Sequence, residues 1–252
     1  IGLIPLVIIS PIDRDLILEG SITRRRFIDG VIGQTDKTYL KNLVDYNKTL
    51  AQRNALLKYF AINRTFDSTN LEIYNQQMID LSQPIHDKRK AFIEAFIPIF
   101  MHRYNIISNS QECVTINYYS DLNEKGMDEL LSLNFQRDKS LQYTSVGIHK
   151  DDLNFQIAGV PIKKFGSQGQ QKTFLIALKL AQFDFIKKVS GINPIVLLDD
   201  IFDKLDQNRV TQTIKLFENE TIGQIFISDT HEDRIKAALA ATKSNYEIFN
   251  LN

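Results

Sequence analysis

Two short stretches hold residue types, at spacings, that could do chemistry on a phosphate. Ile195-Val196-Leu197-Leu198-Asp199-Asp200 is an aliphatic run ending in two acids. It reads as a strand buried on both faces, and in open α/β sheets ligands sit beyond the carboxyl ends of such strands. Two adjacent carboxylates there repel unless something positive shares the space. A magnesium ion with nucleotide phosphates is the natural candidate. Taken alone, the run also fits a strand that ends in acidic turn residues. Gly166-Ser167-Gln168-Gly169-Gln170-Gln171 opens a long amphipathic segment with Phe174, Leu175, Leu178, Ala181 and Phe185 on its inner side. The Ser167 hydroxyl and the uncovered N–H groups around Gly169, at the positive end of a helix dipole, would form an anion site. A plain helix cap is the simpler reading, yet a cap needs only one of these residues.

The stretch Gly166 to Thr173 has the outline of the phosphate loop G-x-x-x-x-G-K-[ST], because it ends in Lys172-Thr173. Gln171 stands where the glycine before the lysine belongs, and no strong strand leads into it. A small-molecule kinase using this loop fails on that glycine. No other stretch matches, so the main nucleotide cradle is expected outside this sequence.

The elements that must position these residues follow from periodicity. From Gln170 the pattern alternates: helix to Lys188, strand Ile195 to Leu198, helix Gln207 to Phe217, strand Gln224 to Ser228, helix Asp233 to Thr242, strand Tyr246 to Phe249. Alternating α and β with aliphatic strands predicts a mostly parallel sheet covered by helices. The chain opens with Ile1 in a buried β segment that includes Leu3, Ile4, Leu6, Val7, Ile8 and Ile9, and is expected to be a fragment. Asp36 to Phe60 carries Tyr39, Leu43, Tyr46, Leu50, Leu57 and Phe60 at steps of four and three, with Arg53 breaking the row. After a turn-rich break from Asn63 to Asn70, the rhythm resumes through Tyr74, Met78, Leu81, Ile85, Phe92, Ala95 and Ile99, broken at Lys88. An antiparallel helical hairpin is predicted, with Pro84 kinking or breaking its second helix. The pair is expected to project as an arm, with simple packing as core the other reading. Val114 to Tyr119 reads as a strand and Met127 to Asn134 as a short helix. Tyr143 to Ile148 and Leu153 to Ile157 bracket a turn at His149-Lys150-Asp151-Asp152.

Composition sets bounds. The 252 residues allow one large domain or two modest ones, and 43% hydrophobic with 24% charged is ordinary for a globular chain. Lysine plus arginine equals aspartate plus glutamate at 30 each, so any nucleic-acid contact must come from a local patch. Arg24-Arg25-Arg26 is the dense basic run. These arginines could hold DNA phosphates, or pair with Asp29 and cap local structure. The single cysteine, Cys113, excludes an internal disulfide and fits a reducing, cytoplasmic setting. No apolar run is long enough to span a bilayer, and Ile1 to Ile9 lacks the marks of a signal peptide.

The order of these features resembles the C-terminal part of the ABC-type ATPase head used by chromosome-maintenance and repair proteins. The closer match is the RecF family. It rests on Ser10-Pro11-x-Asp13, Arg24-Arg25-x-Phe27-Ile28-Asp29, Tyr46-Asn47-Lys48 through Gln52-Arg53-Asn54 to Lys58, His149 to Leu153, Phe165 to Lys172 and Leu197 to Asp206. The resemblance implies an α/β head, mostly parallel sheet with helices, plus a helical hairpin lobe. It divides the chain into 1–35 leading to the arm, 36–108 as hairpin lobe and 109–252 as head, without the phosphate-loop segment. It further implies ATP sandwiched between two subunits. Asp199 would hold Mg2+ through water, and Asp200 would be the general base. Ser167, Gln168, Gly169 and Gln170 would clasp the γ-phosphate in trans, with Asp206 at the dimer seam. His231 stands where the switch histidine of such proteins does, but Asp229-Thr230 intervenes, and a solvent-facing cap is the other reading. His149 resembles a family histidine whose part could be purely structural. The implied function is an ATP-dependent recombination mediator that dimerises, binds single-strand/double-strand DNA junctions and works with RecO- and RecR-like partners. The rival is a DNA-bound structural clamp with a silent nucleotide site.

Overall fold

The computed structural model describes residues 4–109, 112–199, 223–228, 236, 245 and 247–249. In chain order its elements are β1 (Leu6–Ile9), α1 (Asp15–Leu18), α2 (Ser21–Thr35), α3 (Lys37–Asn63), α4 (Ser68–Ser108), β2 (Val114–Tyr119) and α5 (Met127–Leu141). There follow β3 (Asp152–Ile157), β4 (Val160–Pro161), α6 (Ile162–Phe165), α7 (Gln168–Ser190), β5 (Ile195–Asp199) and β6 (Ile225–Ser228). Two compact units result. One gathers Glu19–Ile97 and Ile116–Phe155 with the first two residues; the other gathers Leu3–Leu18, Pro98–Thr115 and Gln156–Asn252. By compactness this division differs from the one expected at 35/36 and 108/109. Helix α2 groups with the hairpin, and so do β2 from Ile116, α5 and β3 up to Phe155.

In the second unit the aliphatic runs pair as a parallel sheet of order β1-β5-β6. Leu6 faces Ile195, and Leu198 faces Ile227. Val7, Ile9, Val196 and Leu198 are buried, while Ile8 and Phe226 are exposed. Strand β5 therefore departs from the expected burial on both faces, since Ile195 and Leu197 are only half-buried. Helix α7 departs in the opposite direction. Every residue from Thr173 to Phe183 is buried, so it is a central helix and not a one-sided amphipathic one. Two of its charged members are paired: Lys179 with Asp13 at 2.7 Å, and Asp184 with the fork of Arg103 at 2.5 Å on both arms. Phe174 packs on Phe100 and Tyr104. Gly191, at φ 71°, caps the helix in the left-handed region that glycine adopts without strain. Glu247–Phe249, expected in a strand, carry no strand pairing. The expected helices Gln207–Phe217 and Asp233–Thr242 lie outside the described residues, apart from Lys236.

In the first unit α3 and α4 form the expected antiparallel hairpin. Asp36 pairs with Lys88, Thr49 with Gln77 and Arg53 with Asn75, so partner numbers fall along α4 as they rise along α3. The tip closes on Leu57, Phe60 and Leu71. Helix α4 runs without a break through Pro84 and Pro98. An interior proline costs about 3 kcal/mol, and the buried apolar residues Met78, Ile85 and Phe92 on either side of Pro84 work against that cost. The inner row of α4 also differs from the expected one. It runs Met78, Ser82, Ile85, Arg89, Phe92, Phe96, while Lys88 and Ala95 are exposed.

Helix α5 extends to Leu141, a full two turns past the expected end. Tyr143–Ile148 is not a strand, because its N–H groups go to side chains. Thr144 N donates to Asn54 Oδ1 (2.7 Å), Ser145 N to Asp138 Oδ1 (2.8 Å) and Gly147 N to Asp121 Oδ2 (3.3 Å). With the donors of Thr144, Ser145 and Gly147 engaged this way, they are not available to a ladder. Among the described residues no helix is long and apolar enough to cross a membrane.

Candidate nucleotide and nucleic-acid contact sites

Ser167 is the N-cap of α7. Its Oγ accepts from Gln170 N at 3.2 Å, while Gln170 Oε1 accepts from Ser167 N at 2.8 Å, a reciprocal capping box. Gln170 Nε2 continues to Glu112 Oε1 at 3.0 Å, and Glu112 also accepts from the Tyr104 hydroxyl. The turn before the cap is tight. A Cβ on Gly166 would meet Ile162 Cγ1 at 2.6 Å and the Ile162 carbonyl oxygen at 2.8 Å, so only glycine fits. Gln171 Nε2 donates to the Gly166 carbonyl at 3.1 Å, fixing the turn from the other side. Ser167 and Gln168 stay exposed, and Gly169 and Gln170 half-buried. The cap and the anion site are therefore compatible here: the serine oxygen serves the helix, while the start of the helix remains open to solvent.

Asp199 closes β5 on an exposed edge, where its Oδ1 accepts from Ser228 Oγ at 2.5 Å. Register explains the meeting, since Asp199 and Ser228 are direct partners on neighbouring parallel strands. An exposed carboxylate at a strand's carboxyl end is a hard oxygen donor, the ligand class that Mg2+ takes alongside water and substrate phosphate. Among the described residues no group of three or more histidine, cysteine, aspartate or glutamate side chains could hold a metal by itself. Asp200, Asp206 and His231 lie outside the described residues. The bonds of Ser167 and that of Asp199 go to separate partners and do not link the two.

The basic run divides by partner. Arg24 forks onto Asp152 (Nε to Oδ1 2.7 Å, Nη2 to Oδ2 3.0 Å) and donates from Nη1 to the Glu19 carbonyl. Arg25 Nη1 donates to the Asp151 carbonyl at 2.6 Å. Arg26 is exposed and makes no hydrogen bond or ion pair among the described residues. The expected partner Asp29 is occupied elsewhere, by Arg89 and the Tyr39 hydroxyl. Burial lowers the pKa of Arg25 and the neighbouring Arg89 charge lowers it further, against the pull of Asp151, Asp152 and Asp29.

Arg89 is a residue the sequence rows passed over. It is 1% exposed, and all three of its nitrogens donate: Nε to Asp29 and Tyr39, Nη1 to the Ile148 carbonyl (2.7 Å) and Asp151 Oδ2 (2.6 Å), Nη2 to both Asp29 oxygens. Burial pushes the Asp151 carboxyl up, whereas Arg89 and Tyr118 pull it down. Against the cost of burial, Tyr39, Asp29 and Asp151 raise the pKa of Arg89 well above the ordinary value, so it is held firmly charged. His149 fits the structural reading. Its Nε2–H donates to the Thr144 carbonyl at 3.0 Å, which leaves Nδ1 to accept the Tyr46 hydroxyl at 2.8 Å. That tautomer is neutral, and burial lowers the imidazole pKa to about 4. The signal that could have found Arg89 is position alone, since it falls in step on α4 and only its polarity took it off the row.

No protein-family model matches the chain. Among curated proteins it is 59% identical over 251 residues to the DNA replication and repair protein RecF of Flavobacterium johnsoniae, covering 100% of this chain and 70% of that protein. The protein of the same name from Bacteroides thetaiotaomicron is 46% identical over 253 residues, covering 100% and 68% respectively. Among solved structures, the recombination mediator protein RecF with ATP superposes at a TM-score of 0.81 and 29% identity. That likeness covers 92% of this chain and 64% of the solved one, so the chain spans just under two thirds of it. The expected fold is thereby shown: an ABC-type ATPase head of the RecF kind with a helical lobe.

Proposed function

The chain belongs to the RecF family of DNA replication and repair proteins, and on that premise we propose that it acts in an ATP-dependent recombination mediator. Such a mediator would bind DNA at single-strand/double-strand junctions in the cytoplasm and serve repair and replication-fork maintenance with RecO- and RecR-like partners. The relative solved with ATP supports nucleotide binding. ATP would be sandwiched between two copies, and slow hydrolysis would release them.

The observation that carries this reading is the pairing of an open, rigidly capped helix start at Ser167 with an exposed carboxylate at the end of a parallel strand. In the proposed scheme Ser167, Gln168, Gly169 and Gln170 receive the γ-phosphate bound by the partner copy. Backbone N–H groups and the helix dipole supply the attraction. The Glu112–Gln170 bond holds the capping box in place while this happens. Asp199 would hold Mg2+, which would neutralise charge on the phosphates. Asp200 would orient the attacking water and accept its proton, with Asp206 at the seam and His231 sensing the γ-phosphate. Hydrolysis of this kind is mainly positioning and charge stabilisation.

The test uses the full-length protein. Asp200→Asn should slow ATP turnover by about a hundredfold to ten-thousandfold and let the ATP-bound dimer accumulate. Ser167→Arg should block dimerisation while ATP still binds within each subunit. Parental turnover in Asp200→Asn, or normal ATP-dependent dimerisation in Ser167→Arg, would overturn the roles assigned to these residues, and a parent protein without ATP turnover would leave the silent-clamp reading standing.

A further inference from the structure

Beside the buried Arg89 network, the start of α2 and the middle of α3 enclose a cleft of about 210 Å³. Its walls bring three arginines, Arg25, Arg26 and Arg89, against one carboxylate, Asp29, with Asn47 on the α3 side. These charges are not equivalent. Both Asp29 oxygens are already engaged, by Nε and Nη2 of Arg89 and by the Tyr39 hydroxyl, so it offers the cleft little hydrogen-bonding capacity. His149, also on the wall, is neutral and has both ring nitrogens engaged. That leaves Arg25, bonded on one side to a backbone carbonyl, and Arg26, bonded to nothing among the described residues. Arg25 is half-buried, and its burial together with the Arg89 charge outweighs the pull of Asp151, Asp152 and Asp29, so a negative group entering here would relieve a cost the fold already carries.

We propose that this cleft is a phosphate-binding site, in which Arg25 and Arg26 take the anionic oxygens and Asn47 donates from its amide. Guanidinium groups suit this task because their planar N–H forks match phosphate oxygens. The size favours one phosphate group over a whole small molecule, whose pockets run to about 300–1,000 Å³. The group could belong to a nucleic-acid backbone or to a free phosphate compound. The site rests on the DNA-contact part of the proposed function and narrows it. Arg24, folded onto Asp152, becomes a structural residue, and the phosphate contact falls to its two neighbours.

The experiment uses full-length protein in two arms. In the first, inorganic phosphate is titrated while the arginine side-chain N–H signals are followed by NMR. Saturable shifts are expected, and they should disappear in the Arg25→Gln/Arg26→Gln variant. Arg26→Gln alone, at an exposed position, keeps the fold as judged by thermal unfolding. In the second arm, affinity for a duplex oligonucleotide is measured across salt concentrations. Arg26→Gln should lower the slope of log K against log salt by about 0.9, one phosphate contact. Arg24→Gln should leave the slope unchanged and lower only stability. Saturable phosphate binding with an unchanged slope in Arg26→Gln assigns the site to a free phosphate compound. Absence of saturable phosphate binding overturns the proposal, whatever the slope does, because Arg26 would then be an ordinary surface charge. That failure leaves ATP-dependent dimerisation untouched, so it is distinguishable from failure of the proposed function.

Discussion

Arg89 on α4 and Asp199 at the end of β5 are both charged, and the structure treats them oppositely. Arg89 is enclosed with every nitrogen bonded, in a network of Asp29, Tyr39, Asp151 and Tyr118. Asp199 is exposed and accepts one hydrogen bond among the described residues. The same contrast separates Arg53, buried against Asp138, Thr144 and Asn75, from Ser167, which sits open at a helix start. In the hairpin unit, polar side chains interrupt apolar rows and finish as internal struts. In the sheet unit, the polar groups singled out lie at the ends of elements, where backbone dipoles and solvent both reach them. Arg53 and Arg89, buried in mid-helix, read as architecture, and polarity at the ends of the sheet unit's elements reads as an available contact.

The comparison breaks most visibly at Asp138. Both side chains of the Arg53–Asp138 pair are 0% exposed, at 2.8 Å. Asp138→Ala should cost about 3–5 kcal/mol in urea unfolding, because it strands a buried guanidinium. Replacing both partners together by apolar residues of similar volume should recover most of that loss. If Asp138→Ala unfolds at the parental urea midpoint, the hairpin unit does not depend on this strut.

His149 gives the next effect. Its pKa is lowered from the ordinary 6.5 to about 4 in the fold. The unfolded chain therefore takes up a proton first as pH falls. The stability contributed is complete above about pH 6.5 and is lost progressively down to about pH 4, by up to roughly 3 kcal/mol. Thermal unfolding across that range should be steeper for the parent than for His149→Gln by about one proton. Equal slopes would mean that His149 is already charged in the native state. The smallest effect belongs to the sheet unit. Ser167→Ala removes the cap oxygen and should cost only about 1 kcal/mol in thermal unfolding, while ATP-dependent dimerisation falls much further. A change of equal size in both would make Ser167 a cap and nothing else.

The sheet unit was the more legible in sequence because its signals are local. Four aliphatic residues before two acids specify a strand, and a glycine-flanked Ser-x-x-Gln specifies a cap. The hairpin was legible as rhythm, and its interior was not. Arg53 and Lys88 looked like equivalent breaks in apolar rows, yet Arg53 is buried while Lys88 is exposed and gives its place to Arg89. What decides between them is the partner: Asp138 lies 85 residues from Arg53, and Asp151 lies 62 from Arg89. No periodicity carries that information. Helix α2 escaped notice because it has two internal glycines and a weak apolar face. Tyr143–Ile148 looked like a strand by composition, but Asn54, Asp138 and Asp121 take the backbone donors a ladder would use. The partition of the basic run among Arg24, Arg25 and Arg26 depends likewise on residues more than a hundred positions away.

The Arg53 strut also limits how this lineage can change. A drift at Arg53 alone leaves Asp138 as a buried anion, and a drift at Asp138 alone leaves a buried cation. Either intermediate is penalised before a second mutation can arrive. Thr144 is held in the same knot through Arg53 and Asn54. These four positions are therefore expected to change only together, a covariation that aligning the sequences of relatives would test.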